Sequence, residues 1–153
     1  MFFRGAGGLV PVAVILLLSM ALGSVASALH GGQYLASVIG DQAAPALLLP
    51  ILFLTSAAIA FAIGSSWGTF AIMIPIALPI ATALGFPAAP FLAAVLSGAI
   101  FGDHASPISD TTIVASMAAA TDHIDHVRTQ LPYALLAGAV STVGFFAMGL
   151  VIA

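Results

Sequence analysis

The densest group of oxygen-bearing side chains in this sequence lies at 101–112, inside a stretch that is otherwise apolar. Ionisable residues in such segments are costly and usually mark an ion or substrate pathway. A hard cation such as sodium prefers oxygen ligands, and a carboxylate among them can hold either a cation or a proton. Oxygen is offered by Asp103, Ser106, Ser109, Asp110, Thr111 and Thr112, and all of these except Ser109 form our predicted ion- or proton-binding set.

Gly102 and Pro107 can interrupt a helix here and free backbone carbonyls as further ligands. Each predicted residue also has a plainer interpretation. Asp110 can act as the N-cap of the following helix, and Asp103 can lie at a membrane surface. His104 can pair with Asp103 instead of binding an ion, and the serines can bond back to the helix backbone.

A second polar interruption, Gly64-Ser-Ser-Trp-Gly-Thr69, divides another apolar stretch. Its glycines permit unusual backbone angles, and its three hydroxyls can replace water around a cation. Ser65, Ser66 and Thr69 are therefore added to the predicted site. The alternative is an ordinary interfacial loop with Trp67 in the aromatic belt of the membrane.

Two carboxylates and two imidazoles recur at three-residue spacing in Asp122-His-Ile-Asp-His126. On a helix, each such pair shares a face, and histidine titrates near neutral pH. The candidates for gating or pH sensing are His104, Asp122, His123, Asp125 and His126. A solvated loop is the plainest interpretation of this segment. A resident metal site would need a ligand signature that is absent here, so no metal is expected beyond a transported Na+.

The co-occurrence of serine, histidine and aspartate raises an intramembrane hydrolase as an alternative. Asp103, His104 and Ser106 are too close in sequence to form an obvious catalytic triad, although partners elsewhere in the chain stay open. We therefore expect a protein that is not an enzyme.

The composition restricts the class of protein that carries these residues. Of 153 residues, 62% are hydrophobic and 5% are charged, whereas a soluble domain carries about 25% charged residues. Two arginines make no basic face for nucleic acid, and the absence of cysteine excludes disulfides and thiolate chemistry. The chain is predicted to be an all-α integral membrane protein, a multi-pass protein of the cell membrane that has the lipid bilayer and no nucleic acid as a partner.

The apolar stretches allow four to five transmembrane segments, since a span needs about 20 mostly apolar residues. Residues 9–29 predict a first helix, with a signal peptide as the alternative. Residues 91–120 predict a discontinuous helix, interrupted at 102–110, and 131–152 predict the last helix. Residues 1–153 are expected to form a single membrane domain, with Asp41 in a surface turn.

Residues 45–85 consist of two apolar arms, 45–63 and 70–85, joined by the polar segment 64–69. They form either a re-entrant hairpin or two full spans, and the hairpin is our prediction because the second arm is short for a span. Irregular backbone at membrane depth is tolerated only when it is buried in protein or lines a cavity. Transporters use such discontinuous helices to build ion sites.

The orientation of the chain depends on its two arginines. The positive-inside rule places Arg4 and Arg128 in the cytoplasm. An interrupted helix that crosses the membrane puts both on the same side, whether 45–85 is a hairpin or two spans.

Three motifs resemble the sodium/proton antiporters of the NhaC type, in the family's order and spacing. They are Gly64-Ser-Ser-Trp-Gly-Thr-Phe-Ala-Ile-Met-Ile-Pro75, Gly102-Asp-His-Ala-Ser-Pro-Ile-Ser-Asp-Thr-Thr112 and Asp122-His-Ile-Asp-His-Val-Arg-Thr-Gln-Leu-Pro-Tyr133. The resemblance implies the ion transporter superfamily, whose members have two inverted repeats, each with a re-entrant hairpin and a broken helix. It implies secondary active sodium/proton antiport, with no cofactor beyond the transported Na+ and H+, at a site between the hairpin tip and the unwound segment.

The resemblance covers only the C-terminal portion of the longer family members, so it implies that the chain is half of an inverted-repeat transporter. Serine stands at position 65 where the family commonly has threonine, and alanine at position 105 where it commonly has cysteine. We expect a fragment or subunit that pairs with the missing N-terminal repeat or a second chain, with a homo-oligomer as a further arrangement. The alternative functions are a sodium-coupled malate/lactate-type exchanger and an inactive or accessory membrane fragment.

Overall fold

The computed structural model describes residues 44–152 continuously, together with isolated positions between 10 and 37. The predicted helix over 9–29 lies mostly outside the described residues, as does the predicted turn at Asp41. The continuous part contains helices α1 (Pro45–Ile63), α2 (Ser66–Ala83), α3 (Ala88–Ala105), α4 (Asp110–Ala118) and α5 (His123–Val151). The described residues contain no strand, and every helix except α4 is long and apolar enough to cross a membrane. The predicted all-α membrane fold is confirmed.

Helices α1 and α2 are joined by two residues, a tighter connection than the predicted 64–69. Gly64 ends α1 with a φ of 72°, a left-handed conformation that glycine adopts without steric cost. Ser65 caps α2, because its Oγ accepts a hydrogen bond from the amide of Gly68 at 3.3 Å. The arms contain 19 and 18 residues. Each has the length of a span, so the re-entrant hairpin stays a prediction.

The interruption between α3 and α4 covers 106–109 and is shorter than the predicted 102–110. Helix α3 continues through Gly102 to Ala105. Ser106 leaves the helical conformation, with φ −78° and ψ 130°, because a following proline disfavours the helical region for the residue before it. Pro107 therefore ends the helix, and Gly102 does not.

Gly98 and Gly102 bring α3 into close contact with α1. A Cβ at Gly98 would overlap the backbone of Phe53, and a Cβ at Gly102 would overlap that of Ala57. Lipid is as apolar as a leucine side chain, so helix association in a bilayer depends on close packing at small residues. The Gly-x-x-x-Gly spacing is the sequence signal for this contact.

Aromatic rings pack beside this helix crossing and place α3 at the centre of the fold. Phe53 of α1 stacks on Phe101 of α3, with ring centroids 5.7 Å apart, and lies 5.3 Å from the ring of Phe145 in α5. Phe91, also on α3, is fully buried in the same core. Helices α1, α2 and α5 pack around α3. Because α3 is fixed by this packing, the start of the interruption that follows it is fixed as well.

Helix α5 begins at His123, earlier than the predicted 131. Asp122 is its N-cap and accepts hydrogen bonds from the amides of Ile124 at 2.9 Å and Asp125 at 3.2 Å. The charged cluster at 122–126 thus forms the first turn of α5, in place of a separate polar connection. Farther along α5, Val140 and Val143 are exposed, as expected for a surface that contacts lipid.

Candidate ion-binding site

Asp103 is the buried carboxylate among the described residues. It lies near the end of α3, and its side chain is only 2% exposed. Ser109 Oγ donates to its Oδ1 at 2.8 Å, and Thr111 Oγ1 donates to its Oδ2 at 3.0 Å. Both hydroxyls belong to the start of α4, so the interruption turns the chain back onto the aspartate that precedes it. The side chain of Asp103 is therefore enclosed by protein groups.

Asp103, Ser109 and Thr111 make three oxygen–oxygen contacts with one another, but the two hydroxyl groups supply only two protons for them. Ser109 Oγ and Thr111 Oγ1 also lie 2.7 Å apart, which is hydrogen-bonding distance. Each hydroxyl has one proton to donate. When both donate to the carboxylate, none is left for the contact between them. A proton on the carboxyl group, or a cation among the oxygens, completes the group.

Two contacts hold the interruption against the end of α1, a hydrogen bond to a backbone carbonyl and a close approach of two backbone segments. Ser106 Oγ donates to the carbonyl oxygen of Phe61 at 2.7 Å. A Cβ at Gly64 would lie 2.8 Å from the carbonyl oxygen of Ile108, so only glycine allows the tip and the interruption to approach this closely. The structure therefore brings the two polar interruptions close together, which is the arrangement that the family resemblance implied.

The hydroxyls of the tip make their contacts within their own turn. Thr69 is fully buried, and its Oγ1 donates to the carbonyl oxygen of Ser65 at 3.0 Å. Ser65 Oγ serves as the N-cap of α2, and Ser66 is partly buried in the first turn. The hydrogen bonds of the described residues do not connect these three side chains to Asp103.

Asp110 and Thr112 occupy different environments beside the site. Asp110 is exposed at the first position of α4, and the N-cap position belongs to Ser109, so Asp110 is not the cap. Thr112 is 3% exposed, and its Oγ1 has no hydrogen-bond partner among the described residues. Ser109 is the contact residue that our predicted set omitted. Its distance from Asp103 depends on the turn at 106–109, which the sequence pattern does not specify.

The predicted gating residues lie in two places, the end of α3 and the start of α5. His104 is exposed, and its ring donates from Nδ1 to the carbonyl of Ile100 at 2.9 Å. Asp122 caps α5 and Asp125 is exposed in its first turn. The side chain of His126 makes no hydrogen bond within the described part of the chain. His123 alone contacts the interruption, through the carbonyl oxygen of Pro107.

Two alternatives from the sequence were a metal site and a hydrolase active site. The described residues form neither arrangement. They contain no group of three or more histidine, cysteine, aspartate or glutamate side chains that could hold a metal ion. Gly64-Ser-Ser-Trp-Gly68 has the Gly-x-Ser-x-Gly spacing, but a nucleophile elbow needs a strand before the serine, and helix α1 precedes it here. The Ser106 hydroxyl and the His104 ring bond to separate carbonyls.

The chain matches the model of the Na+/H+ antiporter family over residues 1–150. Proteins named as Na+/H+ antiporters, including NhaC, are also among its curated matches. The resemblance predicted from the three motifs is confirmed.

Three relatives illustrate the range of the matches. An uncharacterized protein of Haemophilus influenzae is 43% identical over 88% of this chain and 26% of its own length. The arginine/ornithine antiporter ArcD of Halobacterium salinarum is 40% identical over 69% of this chain and 22% of its own length. The malate-2H(+)/Na(+)-lactate antiporter of Bacillus subtilis is 33% identical over the same two shares.

The chain thus spans about a quarter of the length of these curated relatives. No solved structure matches it.

Proposed function

Because this chain belongs to the Na+/H+ antiporter family, we propose that it supplies part of the ion pathway of a secondary transporter that exchanges sodium for protons. The observation that carries the proposal is the buried carboxylate of Asp103, which two hydroxyls contact at an interrupted helix. Ion transport requires no enzymatic step, and the ion gradients supply the driving force.

In the proposed exchange, a proton and a sodium ion compete for the same oxygens. The proton completes the hydrogen bonds among Asp103, Ser109 and Thr111 when no cation is present. Sodium takes its place by binding the carboxylate and turning the hydroxyl lone pairs toward itself, since oxygen atoms are the ligands that hard cations prefer. Only one of the two occupants fits at a time, and this exclusion couples their movements.

We propose that the rest of the site comes from a further part of a longer transporter or from a second chain. The length of the relatives supports this, as does the environment of Asp110. Asp110 is exposed on α4, whereas ionisable residues within membrane segments almost always face protein or water. A covering element that supplies more oxygen ligands would explain this exposure.

Two relatives are named as exchangers of organic substrates, so exchange of an organic substrate is the second candidate function. A substrate carboxylate needs a cationic or hydrogen-bond-donating partner. Arg128 is the single arginine or lysine at 44–152, and it is exposed on α5. The groups around Asp103 supply oxygens, which favours a cation in this part of the transporter. A malate/lactate-type exchanger coupled to sodium would use the same cation site.

Flux measurements in liposomes test the proposed function. The transporter that contains this chain is reconstituted with a pH-sensitive dye inside, and Na+, malate, lactate, arginine or choline is added outside. Proton movement that follows Na+ alone is the expected result. Movement that requires malate, lactate or arginine would favour the organic exchanger, and no movement with any of them would favour an accessory role. The isolated chain in the same liposomes tests whether it transports by itself.

Replacing Ser109 with alanine is expected to raise the KM for Na+ about tenfold, equivalent to about 1.4 kcal/mol. The substitution removes one hydroxyl ligand and leaves the backbone unchanged. The conservative variant Ser109→Thr keeps the hydroxyl and should keep the KM near that of the native protein. An unchanged KM in Ser109→Ala would show that this hydroxyl does not bind the ion.

A further inference from the structure

His123 connects the start of α5 to the interruption at 106–109 and to the far end of α4. Its Nε2 lies 2.6 Å from the carbonyl oxygen of Pro107, in the middle of the interruption. Its Nδ1 lies 3.1 Å from Ser116 Oγ, near the end of α4. One imidazole ring therefore joins the segment before α4 to the far end of that helix.

Helix α4 has few other buried or hydrogen-bonded side chains that attach it to the described residues. It is nine residues long, and Thr112 and Ser116 are its buried residues. Ser116 is the residue that contacts His123, and Thr112 Oγ1 makes no hydrogen bond among the described residues. The position of α4 therefore depends strongly on polar contacts at its two ends.

The position of His123 is itself well defined by its surroundings. It is the first residue of α5, directly after the N-cap Asp122, so its backbone belongs to the start of the longest helix in the described part of the chain. On the opposite side of the interruption, Ser106 is bonded to the end of α1. The interruption thus lies between two fixed elements, and among the described residues the hydrogen bond of His123 is the only one from an α5 side chain to it.

The two contacts of the ring survive a change of its protonation state. A carbonyl oxygen only accepts, so Nε2 donates to Pro107. When Nδ1 is also protonated, it donates to Ser116 Oγ, whose own proton goes to the carbonyl of Ile113 at 2.8 Å. When Nδ1 is unprotonated, the Ser116 hydroxyl turns and donates to it. The ring therefore acts as a tether in both states.

We propose that His123 is a positioning residue that holds Ser109 and Thr111 in register with Asp103. It contacts no proposed ion ligand itself and acts through the backbone at Pro107 and through α4. The inference rests on the proposed function, because it gives His123 an indirect role in Na+ affinity. Loss of outer contacts that orient the ligands of a metal typically lowers affinity by about 10–100-fold.

Three variants of His123 separate its two contacts. The side-chain amide of glutamine reaches as far as Nε2 and can donate to the Pro107 carbonyl. That of asparagine reaches only as far as Nδ1 and can contact Ser116. We expect the KM for Na+ to rise about tenfold in His123→Ala and in His123→Asn, with a smaller change in kcat, and to stay near the native value in His123→Gln. Val140→Ala, at an exposed position farther along α5, is the control and should leave the KM unchanged.

Hydrogen exchange of backbone amides at 109–116, measured on the whole chain in lipid nanodiscs, gives a readout that does not depend on transport. Faster exchange in the alanine and asparagine variants, with native exchange in His123→Gln, is the expected result. Native exchange in every variant would overturn the tether. Faster exchange with an unchanged KM would reduce His123 to a structural residue and overturn the positioning role. Absence of Na+-dependent flux in the native transporter would overturn the proposed function. The hydrogen-exchange data alone would then show whether His123 holds α4 in place.

Discussion

Replacing Asp103 with asparagine is expected to reduce Na+-dependent proton flux to the level of liposomes without protein. Asparagine has nearly the same shape as aspartate and can still bond to Ser109 and Thr111. It carries no negative charge for a cation and cannot take up and release the transported proton. The loss therefore reflects chemistry and leaves the fold intact. The measurement is dye-reported proton flux after a Na+ pulse, with thermal unfolding in detergent to check the fold.

Asp110→Asn is the matched comparison, because it removes a second carboxylate seven positions along the chain. Asp110 is exposed, and its side chain makes no hydrogen bond within the described part of the chain. We therefore expect a smaller loss of flux than in Asp103→Asn. Undiminished flux in Asp103→Asn would contradict the site assignment, and equal loss in both variants would contradict the separation of their roles.

Replacing Gly102 with alanine is expected to have the largest effect on the fold. The added Cβ would overlap the backbone of Ala57 on α1, and neither helix backbone can move aside without separating the pair. Overpacking of this kind costs about 1–3 kcal/mol and occasionally more. Because Asp103 is the next residue, flux should fall with stability. Chemical unfolding in detergent micelles measures the first effect, and the flux assay measures the second.

Gly144→Ala is the control, because its expected effect on stability is zero or favourable, whereas that of Gly102→Ala is unfavourable. Gly144 lies within α5, and a Cβ there would meet no atom within 4 Å. Alanine in a helix interior is more favourable than glycine by about 0.5–1 kcal/mol, so this variant should be as stable as the native protein or slightly more so. Equal stability of Gly102→Ala and the native protein would show that α1 and α3 do not approach as closely as described.

The sequence was sufficient to predict the class of protein and the segment in which a carboxylate and hydroxyl groups meet. Scarce charges and long apolar runs require a membrane environment, and Asp103 stands out as a carboxylate among them. Pro107 marks the end of α3 because its ring and missing N–H disfavour helix. These features are local, or they depend on composition, so they can be read without coordinates.

The selection among the candidate residues needed the folded chain. Ser109 and Asp110 are adjacent and both polar, yet Ser109 contacts Asp103 while Asp110 is exposed, because the path of four residues at 106–109 sets the direction in which α4 begins. The same limitation explains Gly102, which sequence reasoning placed in the interruption. Its function depends on Ala57, a residue far away in sequence, whose backbone fills the space where a side chain would be. Composition and local spacing specify which groups are present, whereas contacts between distant segments specify which of them meet.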